Sequence, residues 1–346
     1  MKVFWDPVQL RHAPRFFLQR GQVRPNFEVP GRALALLDGV AALGLHPELP
    51  AEVPDSALET VHTPAYLDFL RSAYADWATL PGAGPEVVAN LHPAPEMLAN
   101  GARPSGSVIG RAGWFTADTA CPIAAETWPS VRAAARCALA AADSAASGHT
   151  AYALARPPGH HAYPARAGGH CYLNNAALAA ERLRALGATR VAVLDIDSHH
   201  GNGTQGTFWN RGDVLFVSVH GDPAGYYPWY VGYGDERGDG DGEGCTLNLP
   251  LPRGSGDPVW LVALDHGLAA IKRYGAEAFV LSLGFDASAQ EPLNFLSVTP
   301  EGFSRAAERI ASLGLPTAIV QEGGYNLETL GTLLRCFLTA YAACSG

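Results

Sequence analysis

The chain has 346 residues, 48% of them hydrophobic and 16% charged, with a formal net charge of −9. A composition this apolar excludes a wholly disordered protein, and the length suits one large α/β domain or two medium ones. The negative balance argues against a basic nucleic-acid-binding surface as the main function, although net charge alone says little about any one pocket.

The six cysteines, Cys121, Cys137, Cys171, Cys245, Cys336 and Cys344, form no CxxC motif and read as reduced thiols rather than a disulfide framework. No apolar run approaches the ~18 residues needed to span a bilayer, and no apolar segment follows Lys2. The expectation is a cytoplasmic protein with neither membrane nor nucleic acid as partner.

In chain order, residues 81–113 come first as a long loop, since 11 of these 33 residues are Gly or Pro. Residues 151–155 are a weak strand candidate before Arg156-Pro157-Pro158. A helix is predicted over 174–186, with Gly187 as its cap. Strands are predicted over 190–197 (RVAVLDID) and 214–220 (VLFVSVH), followed by a Gly- and Asp-rich loop over 233–256. A helix over 259–274 follows the Asp257-Pro258 start signal, and a strand is predicted over 278–284 (AFVLSLG). Thr299-Pro300-Glu301 opens a helix to 313, and 317–322 (TAIVQE) is the last strand. The strands are nearly continuous in apolar character, as in a parallel sheet buried on both faces. Strand and helix alternate, so an open α/β sheet in a single domain is favoured.

Four polar motifs fall just after these strands, where such sheets carry their chemistry. In Asp195-Ile196-Asp197-Ser198-His199-His200, strand alternation would point Asp195, Asp197 and His199 the same way. A carboxylate beside an imidazole makes two ligands for a borderline metal. The alternative, a polar turn, would leave these groups to be buried without partners. In Gly284-Phe285-Asp286, an aspartate that alone would read as a cap becomes a third ligand, leaving the open position of catalytic zinc. His160 and His161, after Arg156-Pro157-Pro158-Gly159, are either an acid–base pair or a surface pair. In Glu322-Gly323-Gly324-Tyr325-Asn326, the glycines would place Tyr325 on a mobile turn, its hydroxyl available to a developing oxyanion.

Taken together, RPPGHHA, GGHCYLNNAA, LDIDSHHGNGT, LGFDA and EGGYN resemble, in order, the motifs of the arginase/deacetylase superfamily, and within it the zinc-dependent histone deacetylase family. The segments GNGTQ, RGDV and HGDPA, and Leu10-Arg11 with Pro30, Arg32 and Ala33, are similar to bacterial acetylpolyamine amidohydrolases. The resemblance runs from about Phe4 to the end.

It implies a three-layer α/β/α fold with a central, mostly parallel eight-stranded sheet, formed by residues 1–346 as one catalytic domain. It implies Zn²⁺ on Asp197, His199 and Asp286, a set that Fe²⁺ can also occupy. His160 and His161 become the catalytic pair, with His161 as general base and then acid, and Tyr325 polarises the amide carbonyl. Asp195 and Asn202 support that pair. A structural K⁺ would use Asp195, the carbonyls of Asp197, His199 and Val219, and Ser218, with a second cation near Phe208. Gly169, His170, Tyr227 and Glu291 would line the substrate channel. Residues 81–128 would be an insertion that narrows the channel and forms a homodimer. The implied substrate is a small N-acetylated amine such as an acetylated diamine or polyamine. A protein lysine deacetylase, an amidohydrolase for another small amide and a non-catalytic acyl-binding module remain alternatives. A two-manganese ureohydrolase fits poorly, because one metal set and a tyrosine are present.

Three positions depart from the wider family. Asn202 stands where many relatives have Asp, so His161 is expected to be less basic. His170 replaces an aromatic channel wall, which either makes the tunnel more polar or is a simple substitute. Of the acids available in the insertion, Glu96, Asp118 and Glu126, none matches the pattern by which the polyamine enzymes meet a distal ammonium.

Overall fold

Three apolar runs, 191–195, 278–283 and 317–321, lie side by side in the middle of one sheet, with every residue but one fully enclosed. The computed structural model describes residues 1–344. Its elements begin with β1 (Lys2–Phe4), β2 (Phe16–Gln19), β3 (Gln22–Pro25), α1 (Pro30–Ala42), β4 (Pro47–Glu48), α2 (Pro64–Trp77), α3 (Pro95–Ala99), α4 (Val108–Trp114), α5 (Thr127–Ala146) and β5 (Ala151–Ala153). They continue with α6 (Asn175–Ala185), β6 (Val191–Asp195), α7 (Asn202–Phe208), β7 (Val214–Gly221), β8 (Thr246–Leu251), α8 (Asp257–Tyr274), β9 (Ala278–Leu283), α9 (Pro300–Ala311), β10 (Thr317–Gln321) and α10 (Leu330–Cys344).

The sheet has eight strands in the order β4-β1-β5-β10-β9-β6-β7-β8, paired in parallel throughout. β2 and β3 form a separate hairpin. Both sheet faces are covered, which explains the unbroken apolar strands. Val191 and Val193 of β6 enter one core with Leu67 of α2, Ala138 of α5 and Leu178 of α6. Ala192 and Leu194 enter the other with Leu36 of α1, Leu264 of α8, Phe303 of α9 and Phe337 of α10. Helix starts follow the chemistry of their first residues. The Asn174 side chain accepts from Ala177 N at 2.9 Å, and Thr299 Oγ1 from Gly302 N at 3.1 Å ahead of α9.

The elements differ from the sequence reading in three places. β6 stops at Asp195, two residues early, because Asp195 Oδ1 accepts Asp197 N at 3.0 Å and Asp197 Oδ1 accepts His199 N at 2.9 Å. Such side-chain turns compete with the ladder, so these residues converge through a turn rather than through strand alternation. The loop predicted over 233–256 contains β8, an edge strand hidden among Gly and Asp. The loop predicted over 81–113 carries the short helices α3 and α4, and Val87 bridges to Ile123.

Adjacent strands β5, β10, β9 and β6 each end in one of the four motifs, so the topology brings all four to one edge. Among the described residues, no helix is long and apolar enough to cross a membrane.

Candidate active site

Asp197 and His199, from the turn after β6, meet Asp286, from the turn after β9, with one ligand atom of each within 4.8 Å of the others. His199 Nδ1 is 2.9 Å from Asp286 Oδ2 and 3.2 Å from Asp197 Oδ1. Backbone amides fix the acids: Ser198 N donates to Asp286 Oδ1 at 2.8 Å and Gly323 N to Asp197 Oδ2 at 2.8 Å. Both aspartates are fully buried. Two carboxylates in so dry a place need a cation. Burial pulls the His199 pKa down, but Asp286 and Asp197 outweigh it and raise it to about 9. The protein alone thus answers with an imidazolium, and a divalent ion answers the same demand with more charge. Two carboxylate oxygens and one imidazole nitrogen suit zinc and leave a position open. The residues fit a metal.

A Cβ at Gly323 would lie 2.4 Å from Asp286 Oδ2 and 2.5 Å from Asp197 Oδ2. The glycine therefore serves close approach to the acids within a buried turn, rather than the mobility expected from the sequence. A second group, His160, Cys171 and Glu322, is equally tight. Its donors and acceptors are already engaged. Glu322 accepts Gly159 N at 2.7 Å, His160 N at 3.1 Å and Ser282 Oγ at 3.1 Å. It scaffolds the β5 turn rather than holding an ion.

The rings of His160 and His161 lie 4.0 Å apart and are held differently. His160 Nδ1 is 2.9 Å from Asp195 Oδ2. Burial opposes its charge, but Asp195 and Asp197 prevail and its pKa is raised. His161 Nδ1 is 2.6 Å from Asn202 Oδ1. An amide oxygen only accepts, so Nδ1 carries the proton and Nε2 keeps its lone pair. Burial, then His160 and His199, lower the His161 pKa. The surroundings thus favour charge on His160 and oppose it on His161. Burial keeps the Tyr325 phenol protonated, against the pull of Arg32, so its hydroxyl is a donor.

The histone deacetylase domain family matches the chain over residues 26–341. The chain is 42% identical to an acetylpolyamine amidohydrolase of Burkholderia pseudomallei over 348 aligned positions, covering 100% of both. It is 42% identical to acetylpolyamine amidohydrolase 1 of Pseudomonas aeruginosa, covering 96% of this chain and 95% of that protein. The chain belongs to the histone deacetylase family. The crystal structure of the Burkholderia pseudomallei acetylpolyamine aminohydrolase matches with a TM-score of 0.95 at 42% identity, covering 100% of both chains. The HDA15 HD domain matches with a TM-score of 0.79 at 29% identity, covering 99% of this chain and 90% of that one. The three-layer architecture is therefore the arginase/deacetylase fold, and this family member is a hydrolase of linear amide C–N bonds. The family is generally metal-dependent, in keeping with the buried donor set.

In this deacetylase a channel of about 540 Å³ ends on His161, His199 and Tyr325. Two files of rings line it. One runs from Tyr325 through His170 at 6.1 Å to Phe17 at 5.5 Å and Phe27 at 5.8 Å. The other runs from His161 through Tyr227 at 4.9 Å to Trp229 at 5.2 Å. Gly169 and His170 sit in the left-handed region, at φ 52° and 69°. His170 makes the wall polar, and its buried Nδ1 has no hydrogen-bond partner. Burial lowers its pKa, so it stands in the wall as a neutral ring.

Glu291 is a correction. It is 4% exposed and turned away from the channel, accepting Tyr325 N at 2.8 Å and Asn326 N at 3.1 Å, while Pro292, Leu293 and Asn294 face the cavity. It braces the tyrosine's backbone. Of the insertion's acids, Asp118 lines the channel, Glu126 lies 3.6 Å from Arg11 at the surface, Glu96 is exposed on α3, and Glu86 is buried, accepting Arg15 N at 2.8 Å. Asp195 and Ser218 are in register on β6 and β7, with Val219 next in line. Ser218 Oγ is 2.8 Å from His220 Nδ1. Phe208 ends α7 and is buried.

Motif reading quoted Arg32 and Arg156 without giving either a role behind Tyr325, and it missed Glu28. Arg32 and Arg156 converge on the buried Glu28, each at 2.9 Å. Arg156 follows β5 at the head of a quoted motif, whereas Glu28 and Arg32 lie outside any strand end.

Proposed function

We propose that the chain removes an acetyl group from a small N-acetylated amine, such as an acetylated diamine or polyamine. The observation that carries this reading is one channel floor shared by the Asp197–His199–Asp286 group, the His161 ring and Tyr325. The names of the relatives support the substrate class. Zinc or ferrous iron held by Asp197, His199 and Asp286 would lower the pKa of a water and polarise the acyl oxygen. His161 Nε2 takes the proton of the attacking water and returns a proton to the departing nitrogen, which leaves poorly unless protonated. Asn202 holds the ring in the tautomer this requires. His160, paired with Asp195, supplies a fixed positive charge beside it. The Tyr325 hydroxyl donates to the oxygen that gains negative charge.

A potassium ion at Asp195, Ser218 and the carbonyls of Asp197, His199 and Val219 would brace the same turn, with a second cation near Phe208. Residues 81–128 narrow the channel and form a homodimer in this reading. The cytoplasmic assignment rests on six unpaired cysteines.

The test is acetate release by the zinc-loaded enzyme from N-acetylputrescine and from an acetyl-lysine peptide, with Tyr325→Phe as the blank. Faster turnover of the small amine supports the proposal, and faster turnover of the peptide replaces it with a protein deacetylase.

A further inference from the structure

Asp118 is the one carboxylate on the channel lining, and its oxygens are committed. Oδ1 accepts Ala120 N at 2.8 Å, and Oδ2 accepts Gly169 N at 3.0 Å and the Tyr227 hydroxyl at 2.6 Å. Its charge still favours a cation in the channel, but three protein donors leave little of it to hold one directly. Arg20 and Arg253 also border the cavity, both exposed to solvent, which screens their charge. Arg253 is turned onto a ring: its guanidinium carbon lies 4.2 Å from the centroid of Phe295. A cation at the edge of this cavity is thus already met by an aromatic face.

Among the described residues, the non-glycine residues with positive φ are Arg20 at 52°, His170 at 69° and Trp229 at 60°, and all of them line the channel. Strain of this kind persists where the surrounding structure enforces it, and it gathers at binding sites. For Trp229 the enforcement is visible. Its N donates to Tyr226 O at 3.0 Å, and its carbonyl accepts the Tyr233 hydroxyl at 2.9 Å. The held backbone presents a side chain that the core does not use. Trp229 is 51% exposed, and among the described residues its indole N–H has no protein acceptor. The indole stands edge to face with Tyr227 at 5.2 Å between centroids, and Tyr227 stands the same way to His161 at 4.9 Å. Two ring contacts therefore separate Trp229 from the channel floor. In N-acetylputrescine five bonds separate the amide nitrogen from the ammonium, about 6 Å when extended. A cation is attracted to a ring within about 6 Å of its centroid. The end of the tail thus comes within reach of the indole while its methylenes run between the two files of rings.

We propose that the indole face of Trp229 is the receptor for the distal ammonium of the substrate, taking it by cation–π attraction in place of a carboxylate. The inference rests on the small N-acetylated amine reading above and names the residue that reads the charged end of the tail. Among aromatic side chains, tryptophan offers a cation the strongest face. An aromatic receptor also suits a polyamine, because the rings that draw its charge accept its methylene segments as well. At a half-exposed ring the ammonium keeps part of its hydration, so the charge preference is modest in size.

The experiment uses two pairs of substrates on the zinc-loaded enzyme, each matched in shape and differing in charge. One pair is N-acetylputrescine and N-acetylpentylamine. The other is the trimethylammonium derivative of N-acetylputrescine and its all-carbon counterpart, N-(5,5-dimethylhexyl)acetamide. In wild type the charged member is expected to lead in kcat/KM by about fivefold in both pairs. Trp229→Leu and Trp229→Gln are each expected to erase that lead, with turnover of the neutral tails reporting a folded enzyme. Trp229→Phe keeps a weaker face and is expected to give an intermediate ratio. A trimethylammonium group has no N–H to donate, so a preference confined to N-acetylputrescine would place the ammonium on an oxygen acceptor such as Asp118 and overturn the inference. So would a wild-type ratio in the leucine and glutamine variants, or an equal loss on charged and neutral tails, which marks a structural role. No turnover of any tail would remove the small-amine reading and this inference together, whereas turnover without a charge preference removes the inference alone.

Discussion

The guanidinium carbon of Arg32 lies 4.6 Å from the centroid of the Tyr325 ring. The same side chain donates through Nε to Gly324 O at 2.6 Å and through Nη2 to Glu322 O at 2.5 Å. One arginine thus grips the carbonyls on either side of Gly323 and supports a ring that lines the channel. Glu28 fixes its third arm at 2.9 Å. Lysine keeps the charge but has no fork to span two carbonyls. Arg32→Lys is expected to lower kcat by roughly a hundredfold, the scale of a small misplacement, with KM little changed. A rise in KM at constant kcat would show that Arg32 binds substrate instead of positioning Tyr325. Metal content, measured alongside, is expected to stay at the wild-type value.

Metal affinity should depend on a residue with no side chain. Alanine at 323 would push a Cβ into Asp286 Oδ2 and Asp197 Oδ2 at 2.4 and 2.5 Å, and both atoms belong to buried backbone-held acids that have little room to move. Gly323→Ala is expected to weaken zinc binding by about 10–100-fold, the range for disturbed ligand support, while far-UV circular dichroism is unchanged. Equilibrium dialysis with metal analysis decides it. Wild-type affinity in the variant would mean that the ion sits elsewhere.

Acid should destabilise the fold through a histidine outside the active site. His62 Nε2 accepts Asn174 N at 2.9 Å, so the buried ring is neutral and helps place the N-cap of α6. Burial lowers its pKa to about 4. The unfolded chain binds a proton near pH 6.5, which the folded chain does not bind until about pH 4. Between those values the unfolded state holds more protons, so stability falls as pH falls and levels off below the folded pKa. The full shift corresponds to about 3 kcal/mol. His12, lowered to about 3 chiefly by burial, acts in the same direction. Urea unfolding at about pH 7 and about pH 5 should show a smaller pH penalty in His62→Gln than in wild type. Equal penalties would exclude His62 as a source.

These tests also show what one-dimensional reading reaches. β6, β9 and β10 were legible because strands buried on both faces must be apolar without a break, and the four motifs were legible because each follows such a strand or β5. β1 and β4 were not, being strands of three and two residues, too short to display a pattern. The helices α1, α2, α5 and α10 gave no clear sequence signal, although they cover much of the sheet. Glu291 was misplaced because sequence proximity to the mouth does not say which way a carboxylate turns, and here two backbone amides turn it inward. Glu28 and Arg32 are only four residues apart, but Arg156 is distant in sequence, and only the fold brings all three together behind Tyr325. The channel mouth was legible only in part: Asp118 was a candidate acid of the insertion, whereas Arg20 belongs to a hairpin and Arg253 to the turn after β8, and only the fold brings them to one cavity.

The Tyr227 hydroxyl offers the sharpest test of that mouth. It donates to Asp118 Oδ2 at 2.6 Å, and burial with the Asp118 charge beside it keeps the phenol protonated. In Tyr227→Phe the ring remains in the wall, but Asp118 keeps only its two backbone donors, Ala120 N and Gly169 N. An acceptor site on a channel-lining carboxylate is then unfilled, and an ammonium group is the ligand that best fills it. The kcat/KM ratio of N-acetylputrescine to N-acetylbutylamine is expected to rise about fivefold, roughly 1 kcal/mol of new charge recognition. The ratio of N-acetyl-γ-aminobutyrate to N-acetylbutylamine should fall in the same variant, since the freed anion opposes a carboxylate tail. Movement of all three substrates together would mean that the hydroxyl merely stiffens the wall. Movement of the two charged tails in opposite directions would show that a single phenol sets the sign of the mouth by occupying its one acid.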